Sequence, residues 1–262
     1  DGTTLDVADS VENASWFGRP GVNKGEQSAF PQARLVALAE CATHAIFDAE
    51  VGAYSTSEID LAKIVVERLE AGMLLIADRG FCGYPLWRKA AATGADLLMR
   101  AKTNMTPRHV ETLADGSWLA ELRPGGNAGR TAEPLPIRVI EFTIDDGRGE
   151  SELFRLFTTI VDATEASATE LAAAYVQRWE IELAFDELKT HQRGPRTVLR
   201  SKSPQLVQQE MWGHLCCHYA IRTLMLDAAT HAGHDPDRIS FVAALRITRR
   251  SLSHSSFSPS QP

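Results

Sequence analysis

One fifteen-residue run, YVQRWEIELAFDELK (175–189), constrains this chain more than any other. At about 100° per residue, a helix puts Tyr175, Arg178, Glu182 and Lys189 inside an arc of about 60°. They form a polar stripe about 21 Å long at about 1.5 Å rise per residue. Trp179, Leu183 and Val176 flank the stripe on one side, and Phe185, Ile181 and Leu188 on the other. Gln177, Glu180 and Glu187 fall opposite and read as ordinary solvated positions. An amphipathic helix would place Leu or Val where this one places a phenol, two cations and a carboxylate. The stripe is therefore expected to face protein or ligand. It reads either as a ligand-gripping surface or as a buried ion-pair network, with Glu182 and Arg178 paired at i,i+4.

A chain of 262 residues fits one large domain, or a core with an inserted subdomain. Its 44% apolar and 23% charged content is that of an ordinary globular enzyme. No apolar run approaches the ~20 residues needed to cross a bilayer, and no leader pattern opens the chain. Cys41, Cys82, Cys216 and Cys217 are too irregularly placed for a disulfide scaffold, so a reducing, cytoplasmic setting is expected. The net charge of −7 argues against nucleic acid coating the whole surface. Its distribution says more. From Leu188 to Gln209 there are five cations (Lys189, Arg193, Arg196, Arg200, Lys202) and no carboxylate. A basic strip on an acidic body suits a polyanion docking at one place, or else a solvated basic loop.

Along the chain, residues 1–30 read as a strand end and a loop. RLVALAEC (34–41) and AIFDAEVG (45–52) read as an antiparallel hairpin. Ser57 caps a helix stopped by Gly72. MLLIAD (73–78) reads as a buried strand ending on an acid, YPLWRKAAATG as a helix and ADLLMRAK (95–102) as a strand. From about 105 to 163 the segments alternate or run β-branched and aromatic, with Asp-Gly turns at 115–116 and 146–147. This predicts a β-rich insertion between a first core part (1–104) and a helical remainder (164–252). Ser167 and Glu170 form a capping box opening a helix expected to run to about Thr190. A second long helix, apolar enough to be buried, follows from Ser203. A third spans DRISFVAALRITRRSL, and the Ser/Pro-rich tail (253–262) is expected to be disordered. The order of elements is that of an α/β chain with a mixed sheet, whose ligand sites fall at strand ends.

Three acids stand at element ends or on the stripe: Asp1 in DGTTL, Asp78 in LLIADRG, and Glu182. Phosphoryl transfer through two divalent ions needs carboxylate oxygens converging on one place. Asp78 alone also reads as a strand-end cap, and Asp1-Gly2 as a turn. Arg178 offers a planar fork for phosphate, Lys189 a point charge and Tyr175 a ring or hydroxyl.

The pattern Y-x2-R-x3-E-x6-K, with the upstream Asp-Gly-Thr and Ala-Asp-Arg-Gly-Phe, resembles the DDE transposases of the insertion-sequence-four family. The likeness extends from DGTTLDVAD through LRSKSPQLVQQEMWGHL to SFVAALRITRR. It implies an RNase H-like α/β core: a mixed sheet with flanking helices, and a β-rich insertion between the second Asp and the Glu. Asp1, Asp78 and Glu182 would hold two Mg²⁺ ions, with Mn²⁺ able to substitute. Tyr175, Arg178 and Lys189 would handle the DNA backbone near the cleaved end. Apart from the resemblance, Arg79 and the strip residues Arg193, Arg196 and Arg200 are candidates for phosphate contact, or else ordinary surface cations. Trp118 is a candidate to stack on an unpaired base, with a core or turn tryptophan as the plainer reading. The partners implied are transposon-end DNA and target DNA, held by a homodimer. The reaction is cleavage followed by strand transfer. Its rivals are an RNase H-like nuclease without strand transfer and an inactive DNA-binding remnant.

Two further expectations concern lesser features. HLCCH (214–218) puts two histidines at i,i+4 beside thiols but lacks a second ligand pair, so it reads as a core helix and not a zinc site. The chain opens on Asp1 without a methionine. That marks a fragment whose first acid lies at a chain end, where cleavage by residues 1–262 alone is expected to be poor.

Overall fold

The protein is described here by a computed structural model covering residues 1–22, 26–145 and 151–254. In chain order it comprises β1 (Gly2–Asp6), α1 (Val11–Phe17), β2 (Gly21–Val22), β3 (Glu26–Gln27), β4 (Gln32–Ala39) and β5 (Ile46–Ala53). Next come α2 (Glu58–Val65), β6 (Leu74–Ala77), α3 (Tyr84–Ala91), β7 (Asp96–Arg100), β8 (Arg108–Thr112) and β9 (Trp118–Leu122). Strands β10 (Leu135–Asp145) and β11 (Ser151–Thr158) precede helices α4 (Ala168–Val176), α5 (Glu180–Asp186), α6 (Pro204–Ala232) and α7 (Phe241–His254). The expected turn at 146–147 lies outside the described residues. So does most of the expected tail, whose first two positions, 253 and 254, belong to α7.

The chain forms two units. The first holds Asp1 and Ser57–Trp179; the second holds Gly2–Thr56 and the chain from Glu180 onward.

The first unit is built on a six-stranded mixed sheet in the order β6-β7-β11-β10-β9-β8. Strands β6 and β7 are parallel, with α3 as their crossover, and the other pairings are antiparallel. The β-rich insertion thus continues the sheet outward from β7. Leu98, Ile140, Leu156, Leu171 and Tyr175 form a core between the sheet and α4. The expected burial of β6 does not hold: Leu74 is 37% exposed, because β6 is an edge strand. At the start of α4 the Ser167–Glu170 capping box is complete. A second device, not read from sequence, joins it. Arg138 on β10 is fully buried and donates to Ser117 Oγ (2.7 Å), to the Ala166 carbonyl (2.6 Å) and to Asp115 Oδ2. The same Asp115 oxygen accepts the Ala168 N–H at 2.8 Å, so the 115–116 turn is tied to the first residue of α4.

The second unit is built on a three-stranded antiparallel sheet, β1-β4-β5, in which Leu5 faces Ala33 and Leu35 faces Val51. Its core joins Leu5, Leu35, Phe185, Leu188, Leu199 and Met211 among others. Helix α1 replaces part of the loop expected over residues 1–30. Ser10 caps it by accepting the Asn13 N–H, and Gly18 ends it at φ +76°. The buried Asn13 amide donates to the Ala8 and Ser201 carbonyls, satisfying polar groups that no periodicity reveals. Helix α6 is buried on one face only. Met211 and Leu215 are inside, while Trp212 and Tyr219 are 43% and 49% exposed.

The helix expected over 167–190 is not uniform. It passes from α4 through a 3-10 turn (Gln177–Trp179) into α5 and then a π segment (Glu187–Gln192). The boundary between the units falls inside it.

Candidate active site

In the first unit, Asp78 follows the last residue of β6, where a parallel strand delivers its side chain to the carboxyl edge. Its Oδ1 accepts the Gly80 N–H at 2.7 Å, an Asx-type closure that fixes the carboxylate. A Cβ on Gly80 would stand 2.9 Å from that same oxygen, so the glycine lets the turn close. Asp1 belongs to the same unit. The Arg178 guanidinium lies 3.7 Å from its Oδ2 and rests over the Trp179 ring at 4.2 Å. The backbone nitrogen of Asp1 is buried and lies within electrostatic reach of the Asp78 and Glu58 carboxylates and of Arg178. Asp1, Asp78 and Arg178 therefore share one electrostatic neighbourhood.

Tyr175 lies within electrostatic reach of Arg178 and Asp78 as well. Burial pushes its hydroxyl up to about 12, against the pull of Arg178 and Arg100 and with some push from Asp78. It stays protonated across the biological range. Tyr175 is 6% exposed within the core, which leaves its ring little surface for stacking on DNA. Arg79 is exposed beside Asp78. Trp118 is half-buried on β9, its ring 5.3 Å from that of His109. The buried Cys82 thiol is pushed up to about 12 by desolvation and is no nucleophile.

The second unit carries Glu182, exposed on α5, and Lys189, half-buried in the π segment. Lys189 Nζ donates to Thr3 Oγ1 of β1 at 2.8 Å. Burial lowers its pKa, as does the Arg193 charge, while Asp6 opposes both. Arg193 is half-buried and donates to the Thr197 carbonyl at 2.7 Å. Arg196 is exposed at φ +56°, and Arg200 is exposed with its N–H held by Glu210 at 3.1 Å. Thr3 escaped the sequence reading because nothing in DGTTL distinguishes its two threonines.

Glu187 overturns an expectation. The wheel marked it as solvated, yet it is only 9% exposed and sits against Arg222 and His218 of α6. His218 is fully buried there, so HLCCH lies on a structural helix with Cys216 and Cys217 as exposed free thiols.

The donors gathered in the first unit are carboxylate oxygens, the hard ligands that Mg²⁺ and Mn²⁺ take in preference to thiol or imidazole. Asp78 commits one oxygen to Gly80 and keeps the other out of that bond. Among the described residues, neither unit by itself gathers three His, Cys, Asp or Glu side chains into a metal cluster.

Residues 1–220 match the Transposase DDE domain family. The chain belongs to that family. It is 28% identical over 255 residues to the transposase InsG of insertion sequence element IS4 from Escherichia coli K12, across 96% of this chain and 57% of that protein. It is also 28% identical over 131 residues to a putative transposase, y4zB, from Sinorhizobium fredii, across 47% of this chain and 35% of that protein. The chain thus spans little more than half the length of its longer-matching relative. Family membership and the InsG match make it an IS4-type DDE transposase sequence with an RNase H-like mixed α/β fold. No helix among the described residues is long and apolar enough to cross a membrane.

Proposed function

We propose that this DDE transposase domain cleaves DNA at transposon ends and joins the freed end to target DNA. The observation that carries the reading is the match over residues 1–220, which includes all four signature residues and both upstream acids. In this reading Glu182 joins Asp1 and Asp78 as ligands to two Mg²⁺ ions, for which Mn²⁺ can stand in. When bound, the ions supply Lewis-acid stabilisation and an activated oxygen nucleophile for in-line displacement at phosphorus. Arg178 offers a bidentate fork to a phosphate beside Asp1. Tyr175 donates from a hydroxyl that burial keeps protonated. Lys189, oriented by Thr3, adds a point charge. Arg79, Arg193, Arg196, Arg200 and Trp118 extend the DNA contact, and a homodimer engages the two ends of the element.

The test is a cleavage and joining assay on end-sequence DNA with Mg²⁺ or Mn²⁺. Asp78→Asn and Glu182→Gln should each lower cleavage at least about a thousand-fold, several kcal/mol of barrier, with DNA affinity retained. Precut ends should be joined to target DNA. Hydrolysis without joining would favour a simple nuclease, and binding without metal-dependent cleavage would favour an inactive remnant.

A further inference from the structure

We infer that Glu187 is a positioning residue, whose buried pair with Arg222 of α6 fixes the stretch carrying Glu182 and Lys189. The inference rests on the roles proposed above for those two residues. All the groups concerned belong to the second unit.

The geometry is that of a clamp. Glu187 Oε2 accepts Arg222 Nε at 2.9 Å, and its Oε1 accepts Arg222 Nη2, a bidentate fork that fixes both planes. His218 Nε2 lies 3.0 Å from the same Oε2 and is fully buried. Arg222 Nη2 also reaches His44 Nδ1 at 2.6 Å, and His44 Nε2 lies 2.6 Å from Glu180 on α5. The next turn is tied as well. Gln192 donates to the His214 carbonyl of α6 at 2.8 Å and accepts Arg249 of α7 on its own carbonyl at 2.7 Å. Leu188 fills the core between these polar ties.

Glu187 stands five residues past Glu182, about 140° around an α-helix, so the clamp grips the back of the surface that presents Glu182. It also opens the π segment, a rare widening of the helix that is frequent at functional sites, and that segment presents Lys189 to Thr3. Stability alone does not account for the arrangement. Apolar residues of the same volume replace buried ion pairs at no net cost in many proteins, because desolvation offsets the attraction. A fork adds directional restraint that an apolar contact lacks. Displacing a reacting group by about 1 Å can cost about a hundred-fold in rate, so such restraint matters most on a segment that presents ligands.

The experiment compares the full-length protein with the paired variant Glu187→Gln/Arg222→Met, in which the amide still accepts from His218 and no charge is left unpaired. A second variant, Arg222→Lys, keeps the charge and loses the fork. Expected are melting temperatures within a few degrees of the parent and end-DNA affinity within about threefold. The Mn²⁺-induced rise in melting temperature should shift to about tenfold higher Mn²⁺, and single-turnover cleavage should slow about ten- to a hundred-fold. A normal Mn²⁺ response and normal cleavage in the variant that folds would overturn the inference. If Glu182→Gln itself left cleavage intact, the proposed function would fail instead, which separates the two outcomes.

Discussion

Single side chains settle the most consequential questions in this molecule. Gly80 is required by close approach, since a methyl group there would stand 2.9 Å from the Asp78 oxygen bonded to its own N–H. Gly80→Ala should therefore displace that carboxylate. Cleavage is expected to drop about ten- to a hundred-fold with little change in melting temperature, measured by single-turnover nicking and thermal unfolding. Arg138 has the opposite character, being purely structural. Truncation to Ala would leave a void at a fully buried position and remove the donors to Ser117 Oγ, the Ala166 carbonyl and Asp115. A loss of about 2–4 kcal/mol, from the cavity and the lost hydrogen bonds, is expected in urea unfolding of the Arg138→Ala protein. Arg138 did not stand out in the sequence, where an arginine in PIRVIEF looks ordinary; Gly80 lies in the Ala-Asp-Arg-Gly-Phe motif, but nothing in the motif shows the close approach that requires it.

At the scale of elements, two helices owe their placement to ionised carboxylates. Burial pushes Asp115 up, but hydrogen bonds from Ser117 and Ala168 and the Arg138 charge hold it at about 2. Glu187 is likewise pushed up by burial and brought to about 2 by His218, His44 and Arg222. Both folded values lie below the ordinary 3.8 and 4.5, so each group contributes stability that is complete above about pH 5 and lost as pH falls toward 2. Urea midpoints measured between pH 5 and 2 should fall with acid, and Asp115→Asn or Glu187→Gln should flatten the fall while lowering the plateau. The helix spanning Tyr175 to Lys189 shows why spacing alone misleads here. An ideal wheel assumes one pitch, whereas a 3-10 turn and a π segment change it twice. The hairpin β4–β5, the capping box and helices α2, α3, α6 and α7 follow their local signals, because caps and periodicity act over a few residues. Helix α1 was missed because its seven residues carry too little periodicity, although Ser10 was its legible cap.

For the whole molecule, charge is the property that bears on its proposed partner. Lys189 is occupied by Thr3 and Arg193 by Thr197, whereas Arg196, Arg200 and Lys202 stand exposed on an otherwise acidic protein. Replacing those three with Ala should reduce the slope of log K against log salt for duplex DNA by about 3, roughly one per lost phosphate contact, as read by titrations between 50 and 200 mM salt. The sequence by itself determined the family, the mixed α/β class and the β-rich insertion. Those rest on residue identity and short-range order, which a linear pattern records. Tertiary structure alone decided that Tyr175 is a core residue, that Lys189 meets Thr3 across 186 positions of chain, and that Glu187 and Arg138 are buried charges. The reason is physical. Whether a polar side chain faces water or a partner depends on groups brought together by folding from distant positions, and no local period carries that information.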